Sequence, residues 1–240
     1  MLELQTFGTV GLRSREVGDS VVAILQPKRL ALLVYLSMAP RRRCRRRDQV
    51  VALFWPELDQ EHARGALNQA LRYLRRCIGA KVLISQGEEE VGVEQAALWC
   101  DAVAFAAALE NQDLEAAATL YKGPFLDSFF VAGAAPEYER WVAEERSGFQ
   151  SQAAEAASSL AEAADHRREL PAAVHWARRA AAIAPDDEAM VARLIDLLAR
   201  SGDRVGALST YESLRHRLSA EFRAIPSSET QAIIDRVRKG

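Results

Sequence analysis

The segment from Glu61 to Ile78 combines basic and amide side chains with a regular apolar pattern. Four basic or amide side chains recur at positions i, i+4, i+8 and i+11 and therefore share one face of a helix: Arg64, Asn68, Arg72 and Arg75. Gln69 and Arg76 flank this face, which carries no acidic residue, whereas a merely solvated face usually mixes charges. Arginine can form two hydrogen bonds with guanine, and asparagine or glutamine can do so with adenine. The pattern favours a helix in the major groove of DNA, with these base-reading residues: Arg64, Asn68, Gln69 and Arg72.

A second basic feature is the run from Arg41 to Arg47, which has six arginines in seven residues. We predict that it forms a loop between two helices and contacts phosphate groups without reading bases. A flexible solvated loop and nonspecific RNA binding are the alternatives. The residues predicted to contact phosphate are Lys28, Arg42, Arg43, Arg45, Arg46, Arg47, Arg75 and Arg76.

The net charge of −2 conceals an uneven distribution of charged residues. Residues 28–81 contain 13 Lys and Arg against 4 Asp and Glu, whereas residues 101–240 contain 16 against 22. A basic segment followed by an acidic one indicates that two parts of the chain have different functions.

The elements that must position the basic segment are also visible in the sequence. Alternating runs near Leu2–Thr6 and Val10–Leu12, and the β-branched run Val21–Leu25, predict a small N-terminal sheet. Three helices are predicted next: Pro27–Met38, Asp48–Phe54, and a third that Asp59 caps and that ends at Ile78. Strands Lys81–Ser85 and Glu90–Val93 follow as a hairpin. This order of elements predicts an α+β winged helix, preceded by a sheet, for residues 1–96.

The second part, residues 97–240, is rich in alanine and predicted to be helical throughout. Ala173 and Ala207 are 34 residues apart, which is the period of the tetratricopeptide repeat. The motif Asp203-x3-Ala207-x3-Tyr211 also resembles Asp113-x3-Ala117-x3-Tyr121. We therefore predict an all-α, tetratricopeptide-like domain, and an ordinary alanine-rich helical bundle is the alternative.

Several classes of site are not expected. The three cysteines are widely spaced and the four histidines lack ligand spacing, which argues against a disulfide framework and a metal site. The sequence contains no phosphate-binding Gly-x4-Gly-Lys-Ser/Thr loop, signal peptide or apolar membrane span. We expect a cytoplasmic protein with no cofactor, catalytic residue or enzymatic activity, and no membrane partner.

The chain resembles the Streptomyces antibiotic regulatory protein family, which joins a winged helix to a bacterial transcriptional activator domain. The resemblance extends over nearly the whole chain and rests on residues 47–56, 63–79, 120–126, 138–142, 184–188, 206–212 and 226–230. It implies an activator that binds promoter repeats in double-stranded DNA and recruits RNA polymerase through its sigma or alpha subunit. It also implies a homodimer formed by the helical domain.

Three features depart from the family pattern, and the first is the unusually dense arginine run from Arg41 to Arg47. Glu88, Glu89 and Glu90 occupy the predicted wing, where a contact with DNA would require basic residues, so this hairpin could instead face a protein. The segment Ala220–Ile225 lacks a glycine that the family often has, so its last turn is expected to differ. The alternative function is a repeat-type interaction module in which the winged helix docks a protein rather than DNA.

Overall fold

The computed structural model describes residues 2–14, 26–39 and 44–239. These residues form two compact units. The first comprises residues 1–111 and 120–148, and the second comprises residues 112–119 and 149–240. The predicted strand Val21–Leu25 lies outside the described residues.

A three-stranded sheet begins the first unit. Strand β1 (Leu2–Gln5) pairs antiparallel with β2 (Gly11–Ser14), which confirms the two predicted N-terminal strands. The third strand of this sheet, β6 (Leu98–Cys100), pairs with β1 in parallel and was not predicted from the sequence. The sheet order is therefore β2-β1-β6, with Leu4 and Leu12 buried on one face.

A buried carboxylate fixes the position of the chain that leaves β1. Asp101, which is 5% exposed, begins helix α4 (Asp101–Glu110). Its oxygens accept hydrogen bonds from the main-chain N–H groups of Thr6, Phe7 and Ala102 at 2.8–3.1 Å. The hydroxyl of Thr6 donates to the same carboxylate at 2.6 Å. Asp101 therefore supplies acceptors that Thr6 and Phe7 lack after β1 has ended.

Three helices and a second sheet complete the N-terminal part of this unit. The helices are α1 (Pro27–Ser37), α2 (Arg47–Phe54) and α3 (Gln60–Ile78), in agreement with the predicted order. The second sheet has the order β3-β5-β4, with β3 at Cys44–Arg46, β4 at Leu83–Gln86 and β5 at Glu90–Val93. The arginine run was predicted to be a loop, and that prediction is wrong for residues 44–46, which pair with β5.

Residues beyond position 96 also belong to the first unit. The first part of helix α6 (Pro136–His166) carries Tyr138 and Trp141. The ring of Tyr138 lies 5.1 Å from that of Phe54, and the ring of Trp141 lies 4.9 Å from that of Tyr35. These aromatic contacts join α6 to α1 and α2.

The second unit is all-α. It contains most of α5 (Leu114–Leu120), the rest of α6, and helices α7 (Leu170–Ile183), α8 (Glu188–Arg200), α9 (Arg204–Arg217) and α10 (Ser228–Lys239). Asp187 and Asp203 cap α8 and α9 by accepting hydrogen bonds from main-chain N–H groups. Ala173 and Ala207, the predicted small positions, are both fully buried in one apolar cluster that includes α7, α8, α9 and α10.

The chain after α9 departs from regular α-helix, where an altered turn was expected. Residues Leu218–Phe222 form a π-helical segment. Arg223 then adopts a left-handed conformation with φ of 52°, a conformation that glycine adopts at lower cost. Among the described residues, no helix is both long and apolar enough to cross a membrane.

Candidate nucleic-acid interface

Helix α3 is firmly seated in the first unit. Asp59 caps its first turn by accepting a hydrogen bond from the main-chain N–H of His62 at 3.0 Å. Six apolar residues at helical spacing are buried: Ala63, Leu67, Ala70, Leu71, Leu74 and Ile78. The remaining face of a well-anchored helix is thus presented to solvent.

The most exposed stripe of α3 is rotated slightly from the predicted one. Its exposed members are Glu61, Gly65, Asn68, Gln69, Arg72 and Arg76. Gln69 and Arg76, predicted to flank the face, lie within this stripe. Arg64 and Arg75 are half-buried at its edge.

Three side chains in the stripe remain available for an external ligand. Gln69 and Arg72 make no hydrogen bond or ion pair with the part of the chain that the structure describes. With respect to the described residues, the guanidinium of Arg76 has only a distant ring contact, 5.9 Å from the centroid of Tyr73. Their donors can therefore be used on a ligand without first breaking an internal bond.

Arg64 is held by carboxylates that lie beside the helix. Its Nη2 donates to Asp48 Oδ1 at 2.7 Å and lies 4.0 Å from Glu89 Oε2. The hydrogen bond from Arg64 lowers the pKa of Asp48 below its usual value. Asp48 thus competes with any external acceptor for this guanidinium.

Asn68 and Arg75 also have internal partners. Arg47 Nη1 donates to Asn68 Oδ1 at 2.8 Å, and Arg75 Nη2 donates to Ser85 Oγ at 3.3 Å. Burial, together with the charges of Arg75 and Arg64, lowers the pKa of the Arg47 guanidinium. As a result, several positive charges lie close together along one edge of α3.

The remaining predicted phosphate contacts differ in their surroundings. Arg46 is exposed on β3, and its side chain makes no hydrogen bond or ion pair with a described residue. Arg45 instead donates to the carbonyls of Tyr35 and Met38 at 2.8 and 3.0 Å, and its guanidinium stacks 3.7 Å from the Tyr35 ring. These contacts give Arg45 a structural role, so we do not include it in the interface.

Lys28 Nζ donates to the carbonyl of Gly133 at 3.2 Å and lies 5.7 Å from the Trp55 ring. Arg42 and Arg43 lie outside the described residues.

An acidic residue lies at the N-terminal end of the α3 stripe, so the prediction that this face carries no acidic residue is wrong. Glu61 is exposed in the first turn of the helix, and it lies seven residues, or about two turns, before Asn68. Together with Asp48, it makes the N-terminal end of this face less positive than its C-terminal end. The strongest positive potential is therefore expected around Arg72 and Arg76.

The tip of the β4–β5 hairpin is acidic and close to α3. The carbonyl of Glu89 accepts a hydrogen bond from the main-chain N–H of Arg47 at 2.8 Å. The charges of Glu88 and Glu89 act on the guanidiniums of both Arg47 and Arg64. The tip therefore offsets part of the positive charge at the edge of α3.

Removing both tip charges with Glu88→Gln and Glu89→Gln is expected to tighten binding to any DNA duplex. If the change frees one arginine for one further phosphate, a plot of log K against log salt concentration should become steeper. The magnitude of its slope should rise by about 0.9. The measurement is a series of binding isotherms at rising salt. The pair Glu137→Gln and Glu139→Gln on α6 makes the same change in charge outside this interface. An equal gain in that pair would contradict the local role given to the hairpin tip.

The described residues contain no group of three or more His, Cys, Asp or Glu side chains that could hold a metal ion. Cys44 and Cys77 are half-buried free thiols, and Cys100 is a buried one.

The model of the bacterial transcriptional activator domain family matches residues 88–238. The chain therefore belongs to this family. No curated protein matches the sequence. A solved structure that is similar in fold is Mycobacterium tuberculosis EmbR in complex with a low-affinity phosphopeptide, with a TM-score of 0.64 and 19% sequence identity. The alignment covers 99% of this chain but 65% of the EmbR chain, and at this identity the likeness concerns the fold alone.

Proposed function

We propose that the chain is a sequence-specific transcriptional activator that inserts α3 into the major groove of double-stranded DNA. The observation that carries this proposal is the exposed α3 stripe with Gln69, Arg72 and Arg76, whose donors have no hydrogen-bond or ion-pair partner among the described residues. Arginine and glutamine are suited to guanine and adenine edges, respectively. Membership of the activator-domain family supports a role in transcription.

The arrangement of the first unit supports the interpretation of α3 as a recognition helix. Helices α1, α2 and α3 are followed by the β4–β5 hairpin, which is the order of a winged helix. In this proposal the hairpin is the wing, and Arg46 on β3 contacts a phosphate group beside the groove. The second unit is assigned as tetratricopeptide-like, because Ala173 and Ala207 are buried one repeat period apart.

The remaining parts of the proposal concern partners. The helical unit is assigned to homodimer formation and to recruitment of RNA polymerase through its sigma or alpha subunit. The chain would then act in the cytoplasm, where bacterial DNA is transcribed. The proposal includes no catalytic activity and no cofactor.

Selection of bound duplexes from a random pool tests the proposal directly. We expect enrichment of a defined sequence, with repeated half-sites if two copies bind together. Binding to the selected duplex should weaken steeply as salt rises, because cations released from phosphates accompany binding. Binding that shows no enriched sequence and no salt dependence would refute DNA recognition and would favour docking of a protein by the first unit.

A further inference from the structure

A glycine lies near the N-terminal end of the exposed stripe of α3. Gly65 is in the second turn of the helix and is exposed. Gln69, Arg72 and Arg76 follow it at i+4, i+7 and i+11, so all four positions lie on one side of the helix. Glycine is the least favourable residue in a helix interior apart from proline, so its presence there requires a reason.

The fold itself provides no such reason. A Cβ atom built at Gly65 would meet no atom within 4 Å, and the residue does not have the positive φ that favours glycine. Gly206, near the start of α9, is different, since a Cβ there would collide with the carboxylate of Asp203. Gly65 could therefore be alanine without any change in the packing of the chain.

We propose that Gly65 is the point at which the α3 main chain lies directly against DNA in the major groove. This inference rests on the proposed function. Because glycine has no side chain, the helix backbone at this position can approach a ligand more closely than it could with any other residue there. That approach brings the donors of Gln69 and Arg72, one and two turns along the same stripe, within reach of base edges.

The contact explains why an unfavourable residue occupies this position. A methyl group at position 65 would be the first atom to meet the duplex and would push α3 outward. Hydrogen bonds to base edges require short distances between donor and acceptor, so this displacement of α3 would weaken them more than the contacts to phosphates. Contacts from long, flexible side chains to phosphates would adjust, so binding to random DNA should change little.

The chain offers a matched control in Gly148. It is exposed within α6, and a Cβ atom there would also meet no atom within 4 Å. Its helical neighbours include Glu144, Ser151 and Glu155, so its surface is acidic and neutral rather than basic. Both Gly65→Ala and Gly148→Ala should raise the thermal midpoint, by about 2–4 °C for a chain of this size.

The experiment measures binding of the full chain to its selected duplex and to a random duplex of equal length. Gly65→Ala should bind the selected duplex about 10- to 100-fold more weakly, and Gly65→Leu more weakly still, with little change on random DNA. Gly148→Ala should bind both duplexes like the unsubstituted chain.

Unchanged affinity of Gly65→Ala for the selected duplex would overturn the inference while leaving the proposed function intact. Loss of thermal stability in Gly65→Ala would also overturn it, because the fold would then require the glycine. If the unsubstituted chain selects no sequence, the proposed function fails and the inference fails with it.

Discussion

Arg72→Ala is expected to weaken binding to the selected duplex far more than binding to random DNA. Arg72 lies in the middle of α3, is exposed, and has no hydrogen-bond or ion-pair partner among the residues that the structure describes. Its guanidinium can therefore form two hydrogen bonds with a guanine without first breaking an ion pair, unlike that of Arg64. Such a contact contributes about 1–3 kcal/mol of discrimination, or about 5- to 150-fold in affinity for the selected duplex.

Two further variants separate base reading from attraction to phosphate. Arg72→Lys keeps the charge but loses the planar fork, so it should lose discrimination while the salt dependence remains. Arg46→Ala should weaken binding about equally on all sequences and reduce the salt slope by about 1. The measurement is a set of isotherms for each variant on both duplexes across a salt series. Equal losses on selected and random DNA for Arg72→Ala would refute its role in reading bases.

The sequence was most informative where one short stretch of chain determines the structure. The boundaries of α3 follow from Asp59 as its cap, the apolar spacing from Ala63 to Ile78, and the terminal Gly79. Strand β5 was predicted at its observed bounds because a turn with a glycine precedes it. Strands β3 and β6 were missed because their partners are distant in sequence. Cys44–Arg46 pairs with Glu90–Gly92, and Leu98–Cys100 pairs with the N-terminal strand.

The same limit applies to the candidate interface. Helical spacing alone places Asn68, Gln69 and Arg72 on the exposed side of α3. It cannot show that Asp48 holds Arg64, since these residues are 16 positions apart and meet only when α2 packs beside α3. It also cannot show that Arg45 donates to the carbonyls of Tyr35 and Met38. Which arginines remain available to a ligand is thus decided by tertiary contacts.

Asp101→Asn is expected to destabilise the first unit by about 3 kcal/mol. The carboxylate is buried and accepts from three main-chain N–H groups and the hydroxyl of Thr6. An asparagine of the same shape has one acceptor oxygen, and its NH₂ group would face at least one of these donors. A buried donor left without an acceptor costs about 1–3 kcal/mol, and hydrogen bonds to a charged group contribute about 1.5–3 kcal/mol each.

Urea unfolding followed by tryptophan fluorescence measures this effect, because Trp55, Trp99 and Trp141 all belong to the first unit. Asp113→Asn is the control, since Asp113 is exposed and accepts from the N–H of Ala116, as an asparagine cap also can. That variant should unfold like the unsubstituted chain. Asp101 lies beyond residue 96, so a large loss in Asp101→Asn would mean that the N-terminal sheet needs an anchor from outside residues 1–96. An unchanged unfolding midpoint in Asp101→Asn would contradict the anchoring role.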